Sequence, residues 1–200
     1  MVNGTWVNAS DKGEVCSIKV YTVADDSQLT GNEDISVDYA GGKYFKVKIT
    51  TADGHAVAGA DVKFTINKNT VSVKTDNDGI AKVKITDIPK TYTIKTEYNA
   101  KTYKNKITVK QVLKTSKVTV KKTAKKFSLK ATLKINGKLQ KGKVIKFKLN
   151  GKTYKVKTNA KGVAQKTLKK SVINKLKKGK TYTVKVTYLK DTIKTTVKVR

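Results

Sequence analysis

The chain of 200 residues is short of the residue types that catalysis and covalent bracing draw on: one His, one Cys, one Pro, one Met, one Trp, and 14 carboxylates against 45 basic side chains. The lone Cys16 permits no intrachain disulfide. Its setting, Val15-Cys16-Ser17-Ile18-Lys19-Val20, reads as a small buried residue in a strand over Val15 to Val23, not as a reactive thiol. The lone His55 sits in an Asp53-Gly54-His55 turn and has no Ser or Cys counterpart for nucleophilic chemistry. Residues 111–200 contain one carboxylate, Asp191, so paired-carboxylate chemistry is excluded from that half. The glycines lie in turns and do not lead into helices, so phosphate-loop and dinucleotide fingerprints are absent. No apolar run is long enough for a membrane-spanning helix. Met1-Val2-Asn3-Gly4 does not lead into the charged and apolar stretches of a signal peptide. These absences predict no enzymatic activity, no cofactor and no bound metal.

What the sequence does contain is a repeat. Val71 to Ala81 reads VSVKTDNDGIA, and Tyr154 to Ala164 reads YKVKTNAKGVA. Each strand-like run ends in Val-Lys-Thr, followed by Asp or Asn, two turn residues, Gly, an aliphatic residue and Ala. Asp and Asn tolerate turn conformations and Gly supplies positive φ, so the reading is a hairpin with a small inward Ala on the returning strand. The motif positions are Thr75, Asp76, Gly79 and Ala81, matched by Thr158, Asn159, Gly162 and Ala164. Phe64 to Asn67 matches Phe147 to Asn150 at the same 83-residue offset; Phe45 to Lys48 matches Phe127 to Lys130 at 82; Tyr92 to Tyr98 matches Tyr182 to Tyr188 at 90. Four ordered blocks make this a tandem duplication. Asp76-Asn77-Asp78-Gly79 opens like a Ca²⁺ loop, but the later ligands are missing and the matching turn carries Lys161, so a structural turn is expected.

Within each copy apolar and polar residues alternate. Phe45, Val47 and Ile49 face one way, as do Val62, Phe64 and Ile66, then Ile145, Phe147 and Leu149. Six or seven short strands per copy, with turn signals between them, predict two antiparallel β-sandwiches with corresponding topology. The expected division is an N-terminal strand and polar linker over 1–34, a first sandwich over 35–111 and a second over 112–200, joined near Gln111 to Thr115. The second copy carries a seven-residue insertion before Tyr182, where Leu168, Val172 and Leu176 lie four apart; a short amphipathic helical turn is expected there. Asn3-Gly4-Thr5 and Asn8-Ala9-Ser10 fit the N-glycosylation acceptor pattern and mark Asn3 and Asn8 as candidate modification sites.

Charge is distributed unevenly. Residues 1–110 hold 16 Lys against 13 carboxylates, and residues 111–200 hold 28 Lys and one Arg against one Asp. The second half carries a strong positive field and should attract polyanions weakly, losing them as salt rises. A dedicated nucleic-acid site is not expected. The bases are nearly all Lys, without the planar fork of Arg, the aromatics alternate inward, and Lys is spread over every strand instead of being focused on one surface.

The stretch Thr51 to Phe64, TADGHAVAGADVKF, followed by Thr75 to Ala81, TDNDGIA, resembles bacterial Ig-like repeats of the invasin/intimin type. From Tyr39 onward, and most clearly in Tyr39 to Val47 and in Leu176 to Tyr182, the chain is similar to Ig-like repeats of adhesin-like surface proteins of methanogenic archaea. The second copy departs from the pattern with Asn159 for Asp76 and Lys161 for Asp78, and it reads as lacking a counterpart of Gly59. The resemblance implies two tandem Ig-like domains in an all-β chain, located at the cell surface. They would serve as a stalk, spacer or adhesion segment toward an anionic wall or surface polymer, or toward a host or cell-surface ligand, and would be monomeric in isolation. The alternative is a free-standing basic protein that binds nucleic acid or an acidic glycan. A parent gene encoding a leader and further repeats separates the first reading from the second.

Overall fold

The computed structural model describes residues 26–200. The strand over Val15 to Val23, Cys16 and the acceptor sites Asn3 and Asn8 lie outside those residues. The first copy forms β1 (Gln28–Thr30), β2 (Ile35–Asp38), β3 (Tyr44–Thr50), β4 (Asp61–Ile66), β5 (Asn69–Lys74), β6 (Ile80–Lys84), β7 (Lys90–Tyr98) and β8 (Lys101–Lys110). The second forms β9 (Leu113–Thr115), β10 (Val118–Val120), β11 (Lys126–Ile135), β12 (Lys138–Leu139), β13 (Val144–Leu149), β14 (Lys152–Lys157), β15 (Val163–Lys169), α1 (Lys170–Asn174), β16 (Thr181–Tyr188) and β17 (Asp191–Val199).

Pairing divides each copy into two sheets, and among the described residues no sheet mixes strands of the two copies. In the first copy the sheets are β1-β3-β6 and β2-β8-β7-β4-β5; in the second they are β9-β11-β15, with β12 on β11, and β10-β17-β16-β13-β14. The leading strand of each copy switches sheets: β1 and β9 pair antiparallel in the smaller sheet, while β2 and β10 run parallel to the last strand of the larger one. A three-stranded sheet facing a five-stranded sheet, with a split first strand, is the Ig-like sandwich arrangement. Gln28–Thr30 falls in the stretch read as a linker. Leu29 sits opposite Ile49 and is buried, so this polar-looking segment contributes an edge strand.

Period-two alternation places the core. Phe45, Val47 and Ile49 face Val62, Phe64 and Ile94 between the sheets, and the rings of Phe45 and Phe64 meet edge to face at 6.0 Å. Phe147 occupies the place of Phe64, and Tyr188 the place of Tyr98; all four are buried. The insertion is helical at α1, but Ile173, not Val172, is its fully buried residue. Leu168 still belongs to β15 and Leu176 lies past the helix end, so a four-residue count through all three crosses two changes of backbone geometry.

Candidate functional site

The repeated motif is a corner, not a hairpin. β5 pairs with β4, whereas β6 pairs with β3 in the other sheet, so Thr75 to Gly79 carries the chain across the sandwich. The local turn chemistry is that of the sequence pattern. Asp76 Oδ1 accepts the amides of Asp78 at 3.2 Å and Ile80 at 2.9 Å; Asn159 Oδ1 accepts those of Lys161 and Val163, each at 3.0 Å. The hairpin reading fails because the backbone of the preceding Thr stays on the β4 side, the Thr75 amide donating to Ala60 O at 2.9 Å and its carbonyl accepting the Gly59 amide at 3.0 Å. Thr75 Oγ1 donates to the Val57 carbonyl at 2.6 Å and accepts the Ala60 amide at 2.9 Å, and Thr158 does the same with Gln140 and Lys143. The hydroxyl adds to these backbone bonds and ties each corner to the loop before the facing strand. Gly79 (φ +74°) packs so closely that an added Cβ would lie 2.4 Å from the Ile49 carbonyl oxygen; at Gly162 (φ +64°) the corresponding distance to Leu133 O is 2.7 Å. Ala81 and Ala164 are fully buried behind the corners.

The corner also restores a motif position missed in the sequence. Gly142 donates its amide to Thr158 O at 2.8 Å, as Gly59 does to Thr75 O at 3.0 Å, and the two glycines share φ near +75°. Gly142 is therefore the counterpart of Gly59, at the same 83-residue offset. It was obscured because Gln140 stands where Val57 precedes it.

Catalytic chemistry finds no support in the geometry around His55. His55 Nε2 lies 3.2 Å from Asp53 Oδ2, and the Thr51 hydroxyl donates to the other Asp53 oxygen. A nucleophilic relay needs the imidazole to take the hydroxyl proton; here the carboxylate intervenes. The His55 and Asp53 side chains are 81% and 69% exposed, as in a solvated turn. The Thr51 hydrogen bond, foremost, holds the Asp53 carboxyl below its ordinary range. Asp76 spends its Oδ1 on backbone amides, and among the described residues no group of three or more His, Cys, Asp or Glu gathers around a common point.

The most elaborated polar arrangement joins the two copies. Asp191, at the start of β17, is fully buried, and its Oδ2 accepts the amides of Val112 at 2.9 Å and Leu113 at 3.3 Å in the connecting segment. Its Oδ1 is buried without a hydrogen-bond partner among the described residues. Burial pushes the carboxyl above the ordinary range, and the two amides act in the opposite direction. Beside it, the Lys190 amide donates to Tyr39 Oη at 3.2 Å, the Asn136 amide donates to Asp38 Oδ2 at 2.7 Å, and Asn136 Nδ2 donates to Gly41 O at 2.7 Å. Tyr39 and Tyr188 are both buried here, and burial first, then proximity to Tyr39, raises the Tyr188 phenol. Sequence reading passed over Asp191, although it is the one carboxylate among the 29 basic residues of its half and its repeat counterpart is Lys101. An acid that only the second copy needs was the available signal.

No protein-family model matches the chain, and no curated protein matches it in sequence. Solved structures similar to it include a Ca²⁺-stabilised ice-binding adhesin of an Antarctic bacterium (16% identity, 89% of this chain and 49% of that one, TM-score 0.31). Others are the bacterial integrin-binding protein invasin (17%, 86% and 38%, 0.33) and the I9–I11 tandem of titin (14%, 87% and 66%, 0.41). The chain thus spans about half or less of the first two structures and 66% of the third. Likeness of this degree assigns no ligand. No helix among the described residues is long and apolar enough to cross a membrane.

Proposed function

We propose that this chain is a non-catalytic segment of an extracellular, adhesin-like surface protein, in which the tandem sandwiches hold a stiff spacing between parts that adhere. The reading extends to repeats of the kind found in methanogenic archaea, on the resemblance of Tyr39 to Val47. The observation that carries it is the junction. The connecting residues Val112 and Leu113 are buried and held by Asp191, and three further hydrogen bonds fasten the Tyr39 turn to the Asn136 turn and the β16–β17 tip. A flexible linker would leave these amides to water. A spacer that transmits position or force needs the ordered arrangement instead.

Small-angle scattering of the full chain tests this. A narrow distribution of lengths, broadened by Asp191→Ala combined with Asn136→Ala, is expected. A broad distribution for the unmodified chain, insensitive to those substitutions, overturns the spacer reading.

A further inference from the structure

Register turns the lysines of the second copy into one continuous band. On the outer face of the five-stranded sheet, Lys148, Lys185 and Lys194 stand directly opposite one another across β13, β16 and β17. Lys146 and Lys155 form the adjoining row across β13 and β14. Neighbouring strands are about 4.8 Å apart and alternate residues along a strand about 6.8 Å, so the five lysines spring from a small area of the sheet. Like charges directly opposite are destabilising. Lysines also face one another in single pairs elsewhere, Lys126 with Lys169 on the other sheet and Lys95 with Lys104 in the first copy; the row across three strands with an adjoining pair belongs to this face.

The first copy shows what the fold does when this face is only solvated. Lys63 pairs with Glu97 at 3.0 Å, Lys95 with the same carboxylate at 3.9 Å, and Lys74 with Asp61 at 2.9 Å. At the matching positions the second copy has Val144 for Asp61, Thr187 for Glu97, Lys148 for Thr65 and Lys155 for Ser72. Four exchanges on a shared framework remove both acids and add two bases. The only carboxylate side chain in that half, Asp191, is buried at the junction.

We propose that this face is a docking surface for an extended acidic polysaccharide, carboxylate-bearing units lying along the Lys rows. This deepens the surface-protein reading and rests on it. Exposed Thr153, Thr181, Thr183 and Thr192 interleave with the lysines and offer hydroxyls to sugar hydroxyls. Nucleic acid fits less well. Among the described residues the second copy exposes no aromatic ring for base stacking, and the Tyr154 ring is covered by the ammonium groups of Lys152 and Lys166 at 5.7 Å. Arg200 is the only residue with a bidentate fork.

The test titrates the full chain with polygalacturonate oligomers, length-matched single-stranded DNA and neutral dextran, at low and physiological salt. Val144→Asp with Thr187→Glu rebuilds the ion pairing of the first copy at one half-exposed and one exposed position. Lys126→Gln with Lys130→Gln makes the same change in net charge on the other sheet. Binding of polygalacturonate but not dextran is expected, weakened about tenfold by the first pair and less than about twofold by the second, since loss falls on groups in contact. Equal losses from the two pairs would show that net charge, not this face, governs binding. Tighter binding of DNA than of polygalacturonate would replace the polysaccharide with nucleic acid. No polygalacturonate binding at low salt would end the proposal while leaving the spacer reading to the scattering result. Unchanged circular dichroism and a cooperative thermal transition certify that each variant is folded.

Discussion

Gly162 and Gly151 share a left-handed backbone but not an environment. An added Cβ at Gly162 meets Leu133 O at 2.7 Å, whereas at Gly151 it meets nothing within 4 Å. Gly162→Ala should cost about 2–4 kcal/mol, and Gly151→Ala about 1 kcal/mol from φ alone, read as a difference in urea midpoints. Thr158→Val removes a buried hydroxyl and leaves the Gln140 carbonyl and Lys143 amide without it, a loss of about 1–3 kcal/mol. Asp191 gives a pH signature. Its carboxyl is raised in the folded chain, so between the unfolded value, about 3.9, and the folded one the native state binds more protons. Its contribution to stability therefore falls as pH rises through that window and is level above it. Asp191→Asn keeps an acceptor for Val112 and Leu113 and removes the titration. The thermal midpoint of the variant relative to the unmodified chain should rise as pH increases from about 3.9 and then plateau. A constant difference would show that Asp191 does not titrate differently on folding.

The inserted helix illustrates how an element depends on its surroundings. Five residues are too few to be helical alone. α1 persists because Ile173 is fully buried and because Lys122 Nζ donates to the carbonyls of Ile173 and Asn174, both at 3.1 Å, and of Leu176. Ile173→Ala should cost about 2–5 kcal/mol in denaturant unfolding. Val172→Ala, at a partly exposed site, should cost less than half of that. Equal costs would mean that the four-residue spacing of Leu168, Val172 and Leu176, and not the observed burial, describes the packing.

At the scale of the molecule the two sandwiches differ in their response to salt. In the first, exposed pairs such as Lys63–Glu97 are screened as salt is added, a small loss. In the second, Lys148, Lys185 and Lys194 repel one another, and screening relieves them. Raising NaCl from about 20 mM to about 500 mM shortens the screening length to less than the cross-strand spacing and should raise the thermal midpoint of the second sandwich. Val144→Asp with Thr187→Glu should raise that midpoint at low salt and flatten the salt response. A midpoint that falls with salt in both sandwiches would contradict the repulsive face.

Alternation, the blocks at offsets of 83 and 90 and the Asp/Asn-x-x-Gly turns were enough to read two sandwiches of matching topology, because period two and turn chemistry are local properties of the chain. The block at 82 is two residues out of register, since Ala81 lies opposite Val47 and Ala164 opposite Ala131, which makes Leu129 and not Phe127 the counterpart of Phe45. Phe64 and Phe147 could be placed in the core by that reasoning alone. Tertiary structure decided whatever depends on which strand lies beside which. β5 and β6 belong to different sheets, so the same turn residues make a corner, and the Thr75 hydroxyl reaches a loop 18 residues away in sequence. Gln28–Thr30 is a strand because Ile49 lies opposite Leu29. The Lys band exists only once β13, β16 and β17 take their register, and Asp191 finds its role only where the end of one sandwich meets the start of the other. Side-chain period is carried by neighbouring residues, whereas register and junction are fixed by contacts between residues tens of positions apart.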